Sequence, residues 1–313
     1  MPIYLLIPLI LITLLLLWVN LQPLKAMNLM MLLGRKASKL SLKTASVKGV
    51  DWPYLEGGSA EAEVVVFVHG FAANKDTWPI YTKHFYKKYR VVVPDLPGFG
   101  DNIKDLGRDY GITAQTDDLA DFLRTIGVEK CHIVGNSMGG HVSLNFAVKY
   151  PELLHSLTLI NNAGIRLDHK SDIELAVDAG ENPLEMKSAD DVTRQIALVM
   201  HKPVYLPGFF KRAMYQQAQL DKVILDKIFW ATVAESEAMA LNDSLSQISV
   251  PTLILWGRHD RIIDVSTAAI LNEGIKNSQC VIIEEAGHVP MAEKPAITAQ
   301  HNIEFLERLS LRH

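Results

Sequence analysis

One pentapeptide constrains the fold of this chain more than any other feature, namely residues 135–139, Gly-Asn-Ser-Met-Gly. It follows an apolar run at 131–134 and precedes a helix-forming stretch at 141–149, so it predicts a strand, an abrupt turn and a helix. Glycines at the two outer positions let the backbones of strand and helix approach closely, with Ser137 in a strained turn and its hydroxyl pointing outward. A glycine-rich bend with an incidental serine is the alternative. The flanking strand and helix favour a reactive serine.

Strand and helix patterns alternate along most of the chain after residue 40. Two short strands are predicted at 41–48 and 50–56, and buried strands at 64–68, 90–94, 131–134, 156–160, 251–257 and 279–283. Helices are predicted at 77–88, 113–127 with Thr113 as N-cap, 141–149, 265–274 and 293–308. This alternation predicts an α/β fold, with a mostly parallel central sheet and helices on both faces.

The alternation is interrupted between residues 165 and 247, where helical patterns occur without a strong strand signal. Aromatic and apolar residues such as Phe209, Phe210 and Trp230 make this segment too apolar for a solvated linker. We therefore expect a helical cap at 165–247, inserted into a core formed by 41–164 and 248–313.

The N-terminal segment carries no charged side chain over residues 1–24. As a helix, Ile3–Leu21 would span about 28 Å, close to the ~30 Å hydrocarbon core of a bilayer. A cleavable signal peptide is the alternative, but it needs a basic start and a small-residue cleavage site, and neither is evident. The sequence predicts a transmembrane anchor at 1–24.

Basic residues follow the predicted anchor and none precedes it. Lys25, Arg35, Lys36 and Lys39 lie in a segment at 25–40 that also contains Met and Leu, which predicts a basic amphipathic juxtamembrane helix lying on anionic headgroups, with a plain linker as the alternative. By the positive-inside rule, the main body of the chain would lie on the cytoplasmic side of the membrane.

Composition narrows the possible partners and cofactors. The 313 residues carry a formal net charge of −4, which offers no basic field for nucleic acid. The two cysteines, Cys131 and Cys280, begin strand-like runs and are expected to be buried rather than disulfide-bonded. No His/Cys cluster has metal-ligand spacing, so neither a metal nor another cofactor is predicted.

Two later strand ends supply the partners that a reactive serine needs. Asp260 follows the strand at 251–257, and His288 follows the strand at 279–283. Along the chain the three residues occur in the order Ser137, Asp260, His288. All three follow predicted parallel strands directly, so we expect them at the carboxyl ends of those strands. Asp264 is a second candidate for the acid, while His259 is a poor base because adjacent residues on an extended loop point apart.

Attack of a serine on a carbonyl creates an oxyanion that needs two N–H donors. The amide of Met138, directly after the serine, is one candidate, and the amide of Phe71, after the strand at 64–68, is the other. His69, His132 and His141 are interpreted as structural, and Asp95 as a residue that shapes the loop at 97–100.

Five motifs resemble those of the α/β-hydrolase fold family. They are the segments at 69–71, 95–100, 135–140, 256–260 and 287–288. More narrowly, the N-terminal anchor, the cap segment at 201–207 and the segment at 287–291 are similar to those of membrane-bound monoacylglycerol lipases and related bacterial lipases and esterases. The pentapeptide around Ser137 also resembles that of hydrolases that cleave carbon–carbon bonds in ring-fission products, although Val289 stands where those enzymes usually carry an aromatic residue.

The resemblance implies a serine hydrolase acting on lipid esters, with an acyl-enzyme on Ser137 and the bilayer as the source of substrate. Carbon–carbon bond hydrolysis is the first alternative, and it would need cations such as Arg166 or Arg194 facing the pocket to hold a substrate carboxylate. The second alternative is a non-catalytic fold that binds a lipid.

Overall fold

The apolar runs of the sequence form an eight-stranded sheet in this computed structural model, which describes residues 3–238 and 240–311. The strands are β1 (Ser41–Val47), β2 (Val50–Gly57), β3 (Val64–Val68), β4 (Arg90–Pro94), β5 (Cys131–Asn136), β6 (Leu154–Ile160), β7 (Thr252–Gly257) and β8 (Ser278–Ile283). Their spatial order is β1-β2-β4-β3-β5-β6-β7-β8, in which β2 runs antiparallel to both of its neighbours, β1 and β4, and the other neighbouring pairs are parallel. The predicted mostly parallel sheet is confirmed.

Twelve helices accompany the sheet within the described residues. They are α1 (Ile3–Leu21), α2 (Pro23–Ala37), α3 (Pro79–Thr82), α4 (Ile112–Thr125), α5 (Met138–Lys149), α6 (Asp172–Asp178), α7 (Ala189–Val199), α8 (Gly208–Leu220), α9 (Lys222–Ala238), α10 (Ser266–Gly274), α11 (Pro290–Glu293) and α12 (Pro295–Ser310). Residues 1, 2, 239, 312 and 313, which belong to the predicted anchor, cap and core segments, lie outside the described residues.

Two apolar layers cover the two faces of the sheet. Successive residues of β3 point to opposite faces, so Val66 packs with α4 and α5 while Phe67 packs with the aromatic residues of α3 and with α12. All five residues of β3 are buried, as expected for a central parallel strand. Helices on both faces were expected from the sequence, and the structure confirms them.

Three predicted helix boundaries were wrong. The helix predicted at 77–88 ends at Thr82, because the chain then forms tight turns that bury Phe85 and Tyr89 in the aromatic cluster. Helix α4 begins at Ile112, and Thr113 is not its N-cap but donates through its amide to Glu235 of α9 at 2.9 Å. The closing helix is interrupted at Lys294, since the residue before Pro295 is driven out of the helical conformation.

The N-terminal region consists of two helices rather than one. Helix α1 ends before Pro23, and the pair Ile7–Leu21 and Pro23–Ala37 is bent by 107°. Within the described residues, none of the helices is long and apolar enough to cross a membrane alone, whereas this bent pair meets that criterion by length and composition. The prediction of one transmembrane helix at 1–24 is therefore not established.

Helix α2 packs on the body of the protein, and this changes the interpretation of one basic residue. Arg35 turns inward and donates from Nε and Nη2 to the Asp76 carboxylate, both at 2.6 Å. The Ser38 hydroxyl donates to the carbonyl of Pro79 at 2.7 Å. Arg35 is therefore unavailable to lipid headgroups, whereas Lys36 and Lys39 are exposed.

The segment predicted as a cap, called the cap below, contains α6 to α9 and lies between β6 and β7 in the chain. Helix α6 begins at a capping box formed by Ser171 and Glu174, and α7 at one formed by Ser188 and Asp191. Helix α8 also packs against α2, so the cap and the N-terminal helices are in contact.

Candidate active site

Ser137 lies in a strained turn between β5 and α5. Its φ of +56° and ψ of −123° belong to a backbone conformation that residues other than glycine rarely adopt. A Cβ at Gly135 would overlap the Ser143 hydroxyl, and one at Gly139 would overlap the carbonyl oxygens of Val68 and His69. Both outer glycines are therefore required, because strand, turn and helix approach so closely here.

His288 and Asp260 are hydrogen-bonded in the loops that follow β8 and β7. The distance between His288 Nδ1 and Asp260 Oδ2 is 2.8 Å, and the Asp260 side chain is fully buried. The other oxygen, Oδ1, accepts from the amides of Ile262 at 2.8 Å and Ile263 at 3.1 Å. These bonds fix the orientation of the carboxylate and leave Nε2 of His288 as the nitrogen directed away from the acid.

A hydrogen bond from Asn136, the residue before Ser137, connects the serine turn to the His288 loop. The side-chain amide of Asn136 donates to the His288 carbonyl at 3.2 Å and to the Ile160 carbonyl at 3.0 Å. Within the described residues, no hydrogen bond joins the Ser137 hydroxyl to the His288 ring. Such bonds often form only when substrate is bound, so the arrangement is compatible with a serine and its base.

The two other residues considered for acid and base serve different purposes. Asp264 accepts from the Ser266 amide at 2.8 Å and caps the start of α10, and its hydrogen bonds to Ser266 lower its pKa. The His259 ring stacks on His201 with centroids 3.9 Å apart. Asp260 is therefore the carboxylate that faces His288.

Asn161 is a site residue that the sequence analysis missed. It is fully buried at the end of β6 with a φ of +46°. Its side-chain NH2 group donates to Asp260 Oδ2 at 2.7 Å, and its side-chain oxygen Oδ1 accepts from the Gly257 amide at 3.1 Å. The signal available in the sequence was a polar residue directly after a buried strand.

The two backbone amides that the sequence predicts as oxyanion donors belong to Met138 and Phe71. Met138 is the first residue of α5, so its N–H is one of the unpaired donors of a helix N-terminus. In the described part of the chain, neither this N–H nor that of Phe71 donates a hydrogen bond within the protein. Gly70 lies so close that a Cβ there would be 3.0 Å from Ser137 Cβ, which brings the segment at 69–71 beside the serine.

His69 supports the segment that carries Phe71. Its Nε2 accepts from the Leu96 amide at 3.0 Å, so Nδ1 carries the proton and donates to the Gly70 carbonyl at 2.9 Å. Burial lowers the pKa of His69, which keeps the ring neutral. This agrees with the structural role inferred from the sequence.

A buried ion network holds the neighbouring loop. Lys75 Nζ donates to Asp95 and Asp101, both at 2.6 Å, and its amide donates to Asp95 at 2.7 Å. Burial opposes the charge of Lys75, but the two carboxylates outweigh it and raise the pKa of the lysine. Asp95 shapes this loop, as expected, whereas the part played by Lys75 was missed.

The cap closes over the segment that carries Phe71. The Phe71 ring lies between Phe99 of the core and Phe229 of α9, with centroid distances of 6.0 and 5.7 Å. A small cleft of about 30 Å³ separates Phe71 from cap residues that include Leu184 and Leu225. Aromatic contacts between cap and core therefore cover the Phe71 side chain.

Comparison with known proteins places the chain in a family. Residues 63–295 match the family model described as alpha/beta hydrolase fold. Lipase 1 of Psychrobacter immobilis is 33% identical over 276 residues, covering 85% of this chain and 84% of the relative. Monoacylglycerol lipase ABHD6 of Mus musculus is 28% identical, covering 77% of this chain and 75% of the relative.

A solved structure shows the same architecture. The crystal structure of a membrane phospholipase A matches with a TM-score of 0.88 and 34% identity, covering 98% of each chain. The family model spans the strained serine turn, the Asp260 loop and the His288 loop. This chain belongs to the α/β-hydrolase fold family.

Proposed function

We propose that this chain is a membrane-associated serine hydrolase that cleaves carboxylic esters of single-chain lipids, and monoacylglycerols in particular. One observation carries the proposal: a serine in a strained turn at a helix N-terminus lies beside a histidine whose second nitrogen is held by a buried carboxylate. A hydroxyl is a weak nucleophile at neutral pH, and this arrangement of base and acid is how proteins activate one.

Each residue of the proposed triad has a defined task. His288 Nε2 takes the proton of Ser137 as the hydroxyl oxygen attacks the ester carbonyl, and then gives it to the leaving alcohol. Asp260 holds the Nδ1 proton of His288 and stabilises the imidazolium that forms. Water then attacks the acyl-enzyme with His288 again as base, which releases the fatty acid and restores Ser137.

The oxyanion of each tetrahedral intermediate would be held by the N–H groups of Phe71 and Met138. Both donors are backbone N–H groups, and that of Met138 also lies at the positive end of the α5 helix dipole. Removing one donor of this kind typically lowers the rate by about 10²–10³-fold. Neither a metal nor a cofactor is needed for these steps.

Association with the bilayer is part of the proposal. The side chains of Ile10, Leu14 and Leu17 in α1 are between 53% and 56% exposed, unlike those of a helix buried in a protein core. We assign residues 1–24 to a single-pass anchor, 25–40 to a juxtamembrane segment, 41–164 and 248–313 to the hydrolase core and 165–247 to the cap. Basic residues after the anchor support a cytoplasmic location for the core.

The substrate class rests on the cap and on the relatives. An acyl chain needs an apolar path, and the cleft beside Phe71 is lined partly by apolar cap residues. The similar proteins are named as lipases, a monoacylglycerol lipase and a membrane phospholipase A. All three names describe hydrolysis of lipid esters.

Carbon–carbon bond hydrolysis receives less support from the structure. It would need a cation in the pocket, but Arg194 is exposed and bonds to Asp191 and to the carbonyls of Pro183 and Glu185. Arg166, near the start of the cap segment, is exposed. Solved structures of a serine hydrolase involved in carbazole degradation and of a meta-cleavage product hydrolase are also similar, at 24% and 21% identity, and indicate a shared fold alone.

The proposal is tested with purified full-length protein in detergent, assayed on mono-, di- and triacylglycerols and lysophospholipids of graded chain length. We expect turnover of monoacylglycerols above the other lipids, and none by Ser137→Ala. Retained turnover by a folded Ser137→Ala protein would refute the mechanism, while a preference for triacylglycerols or lysophospholipids would refute the substrate assignment.

A further inference from the structure

The carboxylate of Glu293 bridges the loop of His288 and the cap. Its Oε1 accepts from the Gly287 amide at 2.6 Å. Its Oε2 accepts from the amides of His201 at 2.8 Å and Lys202 at 3.3 Å, in the segment that follows α7. One side chain therefore pairs three backbone N–H groups from two separate parts of the chain.

The same two segments are also in direct backbone contact. The His288 amide donates to the Val199 carbonyl at 2.8 Å. A Cβ at Gly287 would lie 2.8 Å from both the His201 nitrogen and the Val199 oxygen, so only glycine allows the segments to pack this closely. The backbone of His288 is thus held by the cap on one side, while Glu293 holds the preceding residue.

We propose that Glu293 is a positioning residue for His288, and that it keeps the cap segment at 199–202 and the His288 loop together as one unit. The inference depends on the proposed role of His288 as the base. Without the carboxylate, the N–H groups of Gly287, His201 and Lys202 would lose their acceptor in a partly buried place. The loop would then relax, and Nε2 of His288 would leave its position toward Ser137.

Other contacts between cap and loop are weaker restraints. Lys202 pairs with Glu285 at 2.6 Å, but both side chains are more than half exposed, and such surface pairs contribute little. The stacked rings of His201 and His259 hold the segment near Asp260, and the His259 amide donates to the Ala286 carbonyl of the His288 loop at 2.9 Å. Glu285 therefore provides a matched control for Glu293, since both are glutamates beside the same loop.

The experiment compares Glu293→Gln, Glu293→Ala and Glu285→Gln with the wild-type protein on a monoacylglycerol and on a chromogenic medium-chain ester. Rates are expressed per active site, counted by stoichiometric labelling of Ser137 with a fluorophosphonate. Displacement of a catalytic group by about 1 Å can lower the rate ~10²-fold. We expect kcat to fall about 10²-fold in Glu293→Ala and less in Glu293→Gln, which keeps one acceptor, with KM within about twofold.

The rate of fluorophosphonate labelling should fall by the same factor, because it needs the same base, while Glu285→Gln should stay within about twofold of wild type. Unchanged kcat per active site in Glu293→Ala, even with a lower labelled fraction, would overturn the inference and leave a purely structural role. That result is distinct from failure of the proposed function, which would appear as a wild-type protein inactive on every ester.

Discussion

The two edges of the central sheet each bring together a serine, a histidine and a carboxylate, yet they are built differently. At the carboxyl edge, where the parallel strands end, these are Ser137, His288 and Asp260. At the amino edge, where they begin, the Ser156 hydroxyl lies 2.8 Å from His132 Nδ1, and Glu63 lies 3.7 Å from His132 Nε2. Residue types alone do not distinguish the two sets.

The difference lies in backbone and burial. Ser156 is fully buried within strand β6, whereas Ser137 lies in a positive-φ turn at the N-terminus of α5. Glu63 is half exposed, whereas the Asp260 carboxylate is buried and fixed by two amides. A strained turn, a helix N-terminus and a buried acid are therefore what make the carboxyl edge suitable for catalysis.

The largest difference in kcat should be between substitutions of the two carboxylates, Asp260 and Glu63. Asp260→Asn cannot stabilise the imidazolium of His288 or hold its tautomer, and we expect kcat to fall about 10⁴-fold. Glu63→Gln should leave kcat within about twofold, because that carboxylate touches no group of the proposed mechanism. Steady-state kinetics on a monoacylglycerol measures both changes. A large loss in Glu63→Gln would show that the amino edge takes part in the reaction.

A smaller contrast is expected between Asn161 and Ser156. Asn161→Ala removes a hydrogen bond to the Asp260 carboxylate, a kind of bond worth about 1.5–3 kcal/mol, so kcat should fall roughly 10- to 10²-fold. Ser156→Ala removes the hydroxyl that contacts His132 and should leave kcat unchanged. The same kinetic assay applies, with circular dichroism to verify folding. Equal effects of the two substitutions would contradict the assignment of Asn161 to the site.

A third contrast concerns stability rather than activity. Burial, with the nearby His155, lowers the pKa of His132 to about 4, and burial lowers that of His141 to about 4. Between pH 6.5 and 4 the unfolded chain binds protons that the native protein does not, so the free energy of unfolding falls as pH falls through this range. Each residue contributes on the order of 3 kcal/mol to that loss.

His132→Gln should therefore reduce the fall in thermal midpoint between pH 6.5 and pH 4 and leave kcat at pH 7.5 unchanged. Thermal unfolding followed across this pH range provides the measurement, with His141→Gln as a second variant at the carboxyl edge. If the thermal midpoint of both variants depended on pH as in the wild-type protein, this would contradict the conclusion that His132 and His141 are neutral in the native protein.

The sheet and the positions of Ser137, Asp260 and His288 at its carboxyl edge could be predicted because local signals determine them. The run at 64–68 is apolar throughout, as a strand covered on both faces must be, and the glycines around Ser137 mark a close approach of backbones. Periodicity and turn chemistry are properties of short segments, so one sequence is sufficient to detect them.

Features that depend on long-range packing could not be predicted in this way. Arg35 was expected to face lipid headgroups, but it pairs with Asp76, 41 positions away. Asn161 bonds to Asp260, 99 positions away, and Glu293 to His201, 92 positions away, and no local pattern reveals such bonds. Helix α3 is short because aromatic packing in the core outweighs local propensity.

The most direct test of the account is labelling of the full-length protein with a fluorophosphonate, followed by peptide mapping by mass spectrometry. In the proposed mechanism Ser137 has a base, an acid and oxyanion donors, whereas Ser156 is buried beside a neutral histidine. We predict a single stoichiometric label on Ser137, lost in Ser137→Ala and retained in Ser156→Ala. A label on Ser156 or another residue, or undiminished labelling of Ser137→Ala, would contradict the assignment of Ser137 as the nucleophile.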